Sequence, residues 1–178
     1  MRKTTKHGRK LRRLGITSPD HEQQVARVVT QRKLTYTLAM HKPYSDPVNQ
    51  PDADRIMAEV RLDLYKLENG LVPADDWVHF FSLCDAIGSA QMRAAEIDGD
   101  NTGPMRMLNI AGRALYRCRQ RRDSTGRWGL DGPAIHELAD GIGVYEAILR
   151  ESTPEQMRTA VRRYLDWREV NPKTEAAT

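Results

Sequence analysis

The sequence predicts an all-α fold: a single-domain bundle of about six helices that follows a disordered basic arm. Apolar residues recur three and four positions apart in most segments, and turns rich in proline, glycine and capping residues separate these segments. No segment shows the strict alternation of apolar and polar residues that is typical of a half-buried strand. We therefore divide the 178 residues into the arm (1–17), the bundle (18–170) and a frayed C-terminus (171–178).

The first two predicted helices lie on either side of a proline-containing linker, residues 41–51. Ser18, followed by proline and acids, is a good N-cap for a helix that reaches residue 40. One side of that helix is apolar and carries Val25, Val28, Val29, Tyr36, Ala39 and Met40. Asp52 is predicted to cap the second helix, which Asn69 and Gly70 end. The apolar positions of the second helix are Ile56, Val60, Leu64 and Leu67.

The two central helices are predicted over residues 75–97 and 104–122. The first has Trp77, Phe80 and Phe81 close together, so we expect it to be the centre of the core. The second combines an apolar stripe with a face of arginines. The predicted stripe consists of Met107, Ala111, Ala114, Leu115 and Cys118.

The last two helices have clear start signals. Asp131-Gly-Pro opens a helix in which Ile135, Leu138, Ile142, Tyr145 and Leu149 alternate three and four apart. Thr153 begins a near capping box, and the last helix places Met157, Ala160, Val161, Tyr164 and Leu165 inward. Gly141 and Gly143 within a helical pattern indicate a close contact between helices rather than a ligand loop.

The loop at residues 98–103 resembles the first half of an EF-hand calcium loop. The position at which a bidentate glutamate should close the cage is Asn109, however, and Arg106 stands at another ligand position. An arginine beside a divalent cation is electrostatically unfavourable. We therefore interpret this loop as a turn whose polar side chains cap the following helix, and we predict no metal site.

Charge is distributed unevenly along the chain. The first 16 residues carry seven of the 28 Lys and Arg residues and no acid, so the remaining 21 face 24 Asp and Glu residues. The seven are Arg2, Lys3, Lys6, Arg9, Lys10, Arg12 and Arg13. A basic arm on a mildly acidic body points to a polyanion or an acidic protein surface as the partner.

The arginine face of the helix at 104–122 has two interpretations. It consists of Arg106, Arg113, Arg117 and Arg121, with Arg119, Arg122 and Arg127 nearby. Guanidinium groups in a row match the phosphates of a nucleic acid backbone or an acidic partner. Alternatively, the row is a solvated face paired with acids of neighbouring helices. Trp128, in the glycine-rich loop that follows, either stacks on a base or fills a partner pocket, or it closes the end of the bundle.

The sequence contains no recognisable catalytic constellation. The five histidines are scattered, without metal-ligand spacing, and no glycine-rich phosphate loop occurs. Cys84 and Cys118 fit buried thiols in a reducing cytosol rather than a disulfide framework. No apolar run reaches the length of a membrane span, and the basic N-terminus lacks the apolar segment of a secretory signal. We predict a cytoplasmic, non-enzymatic protein without a cofactor.

The layout resembles a loose group of small helical proteins of proteobacterial phages and plasmids. The similarity consists of a Met-Arg-Lys start, a long central helix, an arginine-rich helix ending near Arg127-Trp-Gly, and a closing pair of helices. The resemblance implies an accessory protein of a mobile element in a bacterial host. Such accessory genes often encode either DNA-handling factors or inhibitors of host proteins, including defence systems.

Three functions are consistent with the sequence. The first is non-specific nucleic acid binding through phosphate contacts from the basic arm and the arginine helix. The second is a protein–protein interaction module that binds and inhibits a host protein by occupying an acidic or nucleic-acid-binding surface on that protein. The third is a homo-oligomer in which the arginine side only confers solubility.

Overall fold

The computed structural model describes residues 47–99 and 102–171. This part of the chain forms five helices and contains no strand, which confirms the all-α prediction for it. The helices are α1 (Gln50–Glu68), α2 (Val78–Asp98), α3 (Gly103–Thr125), α4 (Gly132–Glu151) and α5 (Pro154–Val170). The helix predicted from Ser18 to residue 40 and the basic arm lie outside the described residues, as do residues 172–178 of the predicted C-terminal tail.

The helices begin where short polar side chains cap them. Thr102, Asp131 and Thr153 each accept a hydrogen bond from a backbone N–H three residues on, and Thr153 belongs to a complete capping box. The predicted cap of α1 is wrong by three positions, because Asn49 Oδ1 accepts from the backbone N–H of Asp52 at 3.0 Å. Pro51 lies in the first turn of α1, where its missing N–H removes no helical hydrogen bond.

Helices α2 and α3 differ from their predicted bounds by about one turn. The start of α2 is shifted to Val78, whose N–H donates to Asp76 Oδ1 at 2.9 Å. Helix α3 continues three residues past the predicted end at Arg122 and stops at Gly126, which has a φ of 70°. Glycine adopts this left-handed conformation without the steric penalty that a Cβ imposes, so it can end the helix there.

Helix α2 is the centre of the bundle and contacts each of the other four helices. Phe80, Leu83 and Ile87 are almost fully buried in the common core, and Trp77 and Phe81 pack against its edge. The prediction that this aromatic-rich helix is central is therefore confirmed. Among the described helices, none is both long and apolar enough to cross a membrane.

The predicted apolar stripe of α3 is correct except for Met107. Met107 is 39% exposed, whereas Leu108 is fully buried together with Ala111 and Ala114. Met107 precedes Leu108 by one residue and is therefore rotated by about 100° from it around the helix axis. Met105, about one turn before Leu108, is also buried and begins the stripe.

Glycines allow close approach at two helix crossings. A Cβ on Gly141 of α4 would lie 2.4 Å from the Cβ of Ala111 on α3, and a Cβ on Gly88 of α2 would meet the ring of Tyr164 on α5. The predicted helix contact at Gly141 is thus confirmed, whereas Gly143 faces open space.

Candidate polyanion-binding surface

The four arginines predicted to share one face lie along the side of α3 that faces away from the core. Helix α3 contains six arginines and one acidic residue, Asp123. From Arg106 to Arg121 the helix rises about 22 Å, at about 1.5 Å per residue. Successive phosphates of one DNA strand are about 3.4 Å apart along the axis, so the row spans several of them.

Arg117, in the middle of the row, is already paired within the bundle. Its Nη2 donates to the carboxylate of Glu137 on α4, and its Nε lies 4.0 Å from Asp131 Oδ2. Both partners are partly exposed, so the pair is screened by solvent and contributes little to stability. The pair does neutralise the charge of Arg117, which was predicted to contact a polyanion.

Arg119 and Arg122 lie on another side of α3 and hold the end of the bundle. Arg122 has a 12% exposed side chain, donates to the carbonyl of Ala74 at 3.1 Å and lies 4.4 Å from the ring centroid of Trp77. Arg119 lies 5.9 Å from the same ring and 3.8 Å from an oxygen of Asp123. These cation–π and ion-pair contacts give both residues a structural role.

Four arginines remain available, and we call them the basic surface: Arg106, Arg113, Arg121 and Arg127. All four are exposed, and no carboxylate of the described residues lies within 4 Å of their side chains. Only one other arginine in the described part of the chain, Arg162 of α5, shares this lack of a carboxylate partner.

Of the eight arginines elsewhere in the described residues, seven are paired with carboxylates, and four of these connect neighbouring helices. Arg61 of α1 pairs with Glu146 of α4, and Arg163 of α5 pairs with Glu96 of α2. Arg150 of α4 and Arg168 of α5 bridge to α1 and α2 in the same way. The concentration of unpaired arginines on α3 and the loop after it is therefore a local property rather than a general feature of this surface.

Trp128 is not part of the basic surface. It is 4% exposed and packs against Phe80, with ring centroids 5.0 Å apart, and against Trp77 at 4.9 Å. This conformation excludes stacking on a base and agrees with the alternative in which Trp128 closes the end of the bundle. The indole Nε1 is buried there without a hydrogen-bond partner among the described residues.

The seven basic residues predicted as the other half of the site, Arg2 to Arg13, lie outside the described residues. The structure therefore brings together only the α3 part of the predicted site.

In the loop that resembles a calcium site, residues 100 and 101 also lie outside the described residues. Thr102 caps α3 there, with its Oγ1 accepting from Met105 N at 3.4 Å. Within the described residues no group of three or more His, Cys, Asp or Glu side chains could hold a metal ion.

A buried carboxylate–imidazole pair is the feature that the sequence analysis missed. Asp63 of α1 is fully buried, and its Oδ1 accepts a hydrogen bond from Nδ1 of His79 on α2 at 2.6 Å. The other ring nitrogen of His79 lies 3.5 Å from Lys66 Nζ and 3.8 Å from Asp76 Oδ2. The sequence does contain a signal for this buried carboxylate, because Asp63 lies three residues after Val60 and so shares the apolar face of the helix.

Cys118 is 2% exposed at the contact between α3 and the loop after it. Burial raises the pKa of its thiol to about 11, while a backbone hydrogen bond from Gly129 and the charge of Arg121 act in the opposite direction. Such a thiol stays protonated and is a poor nucleophile at neutral pH.

Comparisons of the chain with family models, with curated proteins and with solved structures give no match.

Proposed function

We propose that this chain is a non-enzymatic accessory protein of a mobile element that binds nucleic acid mainly through phosphate contacts. The observation that supports the proposal is the basic surface. Its four arginines are exposed and have no carboxylate partner among the described residues. Three of them lie on α3, which contains a single acidic residue, and the fourth lies in the loop after α3. The bacterial cytoplasmic setting rests on the resemblance in layout. The seven basic residues of the arm would add to the same electrostatic attraction.

The mechanism is neutralisation of phosphates with release of condensed counterions. Arginine suits this task because its guanidinium is always charged and can contact two phosphate oxygens at once. All four arginines are exposed, and no contact among the described residues fixes their guanidinium groups in a geometry for reading base edges, so we propose binding without strong sequence preference.

The test is fluorescence anisotropy of labelled single- and double-stranded oligonucleotides titrated with the full-length protein in a salt series. We expect a linear fall of log K with log salt concentration. Arg113→Ala combined with Arg121→Ala should lower the slope on duplex DNA by about 1.8, at about 0.9 for each phosphate that the protein no longer neutralises. Substitution of Arg9, Lys10, Arg12 and Arg13 by Gln should lower it further.

The matched control is Arg61→Ala combined with Arg163→Ala. These two side chains are 61% and 58% exposed, but each is already paired with a glutamate. The control removes the same formal charge and should change the slope less than the α3 variant does. Absence of binding at low salt would refute the proposal and would direct the search to a host protein with an acidic surface.

A further inference from the structure

An apolar groove runs along one side of the bundle. Helix α2 forms its floor with Cys84 and Met92, α3 forms one wall with Tyr116, and α5 forms the other with Trp167. The groove has a volume of about 230 Å³ and is lined mainly by apolar and aromatic side chains. A groove between two helices that share a third as its floor has the shape that accepts one more helix.

Both walls run antiparallel to the floor. Gln91 of α2 donates to Asn109 of α3, and Arg122 near the end of α3 donates to Ala74 just before α2. On the other side, Arg168 near the end of α5 pairs with Asp85 in the first half of α2, whereas Arg163, earlier in α5, pairs with Glu96 near the end of α2. A helix that runs parallel to α2 in the groove would be antiparallel to both walls, as in up-and-down bundles.

The chain enters the described fold beside the C-terminal half of α2, on the side of that helix that carries Arg93 and not on the side that lines the groove. Val48 N donates to the carbonyl of Ser152 at 2.9 Å, and Arg93 of α2 donates to the hydroxyl of the same serine at 3.2 Å. The six residues 41–46 can span about 20 Å when extended. This span exceeds the roughly 10–12 Å diameter of a helix, so the linker can pass around α2 and bring residue 40 to the part of the groove near Met92.

We propose that residues 18–40 occupy this groove as a helix whose apolar side faces α2. The sequence of this segment supplies a matching stripe of Val25, Val28, Val29, Tyr36, Ala39 and Met40. Its 23 residues would extend about 35 Å, of which about 18 Å would lie in the groove, because the α2 residues that line the groove run from Phe80 to Met92. Running parallel to α2, the helix places Ser18 at the opposite end of the bundle, near the C-terminus of α3.

This arrangement joins the two halves of the proposed nucleic acid surface. The basic arm would leave the bundle close to Arg121 and Arg127, so both sets of cations would act on one stretch of backbone. This consequence depends on the proposed function, whereas the docking itself does not. Holding the arm beside α3 raises its effective concentration at the bound polyanion.

The native thiol of Cys84 in the floor of the groove reports the docking in the full-length chain. Iodoacetamide modification of Cys84 is followed by peptide mass spectrometry in the wild type and in two triple variants. The first, Val25→Asp/Val28→Asp/Val29→Asp, puts charges on the apolar stripe. The second, Gln23→Asp/Thr30→Asp/Leu34→Asp, adds the same charge on the opposite side of the predicted helix and serves as the control.

We expect the stripe variant to raise the modification rate of Cys84 by about tenfold or more, and the control to leave it near the wild-type rate. Cys118, buried and protonated, monitors folding and should remain unmodified in all three proteins. Equal Cys84 rates in the two variants would overturn the proposal. A wild-type Cys84 rate as fast as that of the urea-unfolded chain would also overturn it, without reference to any variant.

Oligonucleotide affinity of the same proteins separates this inference from the proposed function. We expect the stripe variant to bind about tenfold more weakly than the charge-matched control, because its arm is no longer held beside α3. Protection of Cys84 without oligonucleotide binding would support the docking and refute the nucleic acid function. Tight oligonucleotide binding with equal Cys84 modification rates in the two variants would support the nucleic acid function and refute the docking.

Discussion

Arg117 of α3 donates a hydrogen bond to the carboxylate of Glu137 on α4, and this pair interrupts the row of arginines on α3. The row otherwise presents Arg106, Arg113 and Arg121 without carboxylate partners among the described residues. If the proposed function is correct, Glu137 competes with the polyanion for Arg117, the cation at the centre of the row. Its removal provides a test in which binding should increase.

Glu137→Gln should strengthen oligonucleotide binding and steepen the salt dependence by up to about 0.9, the contribution of one phosphate contact. The substitution keeps the shape of the side chain but removes the closer of the two carboxylates beside Arg117, so that only Asp131, at 4.0 Å, remains. Stability should change by less than about 1 kcal/mol, because the pair is partly exposed. Glu155→Gln on α5, whose partner is Arg158, is the charge-matched control. If both substitutions changed the affinity equally, Arg117 would have no part in binding.

Sequence reasoning succeeded where the determinant is local. Thr102, Asp131 and Thr153 were recognisable as caps because a cap acts on a backbone N–H within three residues of itself. The cap of α1 was misplaced because Asn49 and Asp52 are both good capping residues, and Pro51 between them was assigned to the linker instead of the first turn.

Sequence reasoning failed where partners come from distant segments. The spacing placed Arg117 on the correct side of α3, but nothing in the sequence selects Glu137, twenty residues on, as its partner. Trp128 had two open interpretations for the same reason, since the loop alone does not show that Trp77 and Phe80 receive its ring. Asp63 and His79 become partners only once α1 lies against α2.

The buried Asp63–His79 pair should make a large contribution to stability. Asp63→Ala removes the acceptor and leaves a buried imidazole N–H without it, so we expect a loss of about 3 kcal/mol in the free energy of unfolding. Asp54→Ala on the same helix breaks a pair with Arg150 in which Asp54 is 55% exposed, and should cost less than about 1 kcal/mol. Urea denaturation followed by circular dichroism measures both. Similar losses for the two variants would contradict a special role for the buried pair.

Substitution of two glycines of α4 by alanine should change the stability of the protein in opposite directions. In Gly141→Ala the new Cβ would lie 2.4 Å from the Cβ of Ala111, so α3 and α4 must separate, at a cost of about 1–3 kcal/mol. Gly143→Ala places a Cβ in open space within a helix and should stabilise the protein by about 0.5–1 kcal/mol. Thermal unfolding of the two variants tests the crossing. Destabilisation by both would show that α4 is packed differently around Gly143.

The raised pKa of Cys118 predicts a loss of stability at alkaline pH. Burial raises this pKa from its ordinary value of 9.0 to about 11, so the folded state favours the neutral thiol. The resulting stabilisation is fully present below pH 9 and is lost as the pH rises to 11, because the unfolded chain releases its proton first. Two pKa units correspond to about 2 to 3 kcal/mol.

Cys118→Ala isolates this effect from the lysines and tyrosines that titrate in the same range. The variant lacks the thiol, so its free energy of unfolding should fall less steeply between pH 9 and 11 than that of the wild type. Urea denaturation at several pH values measures the free energy of unfolding of both proteins. Between pH 9 and 11 the difference in this free energy should shift by about 2 to 3 kcal/mol in favour of the variant. Parallel pH profiles would mean that the thiolate is accommodated in the fold, and that Cys118 is less enclosed by α3 and the loop after it than the structure shows.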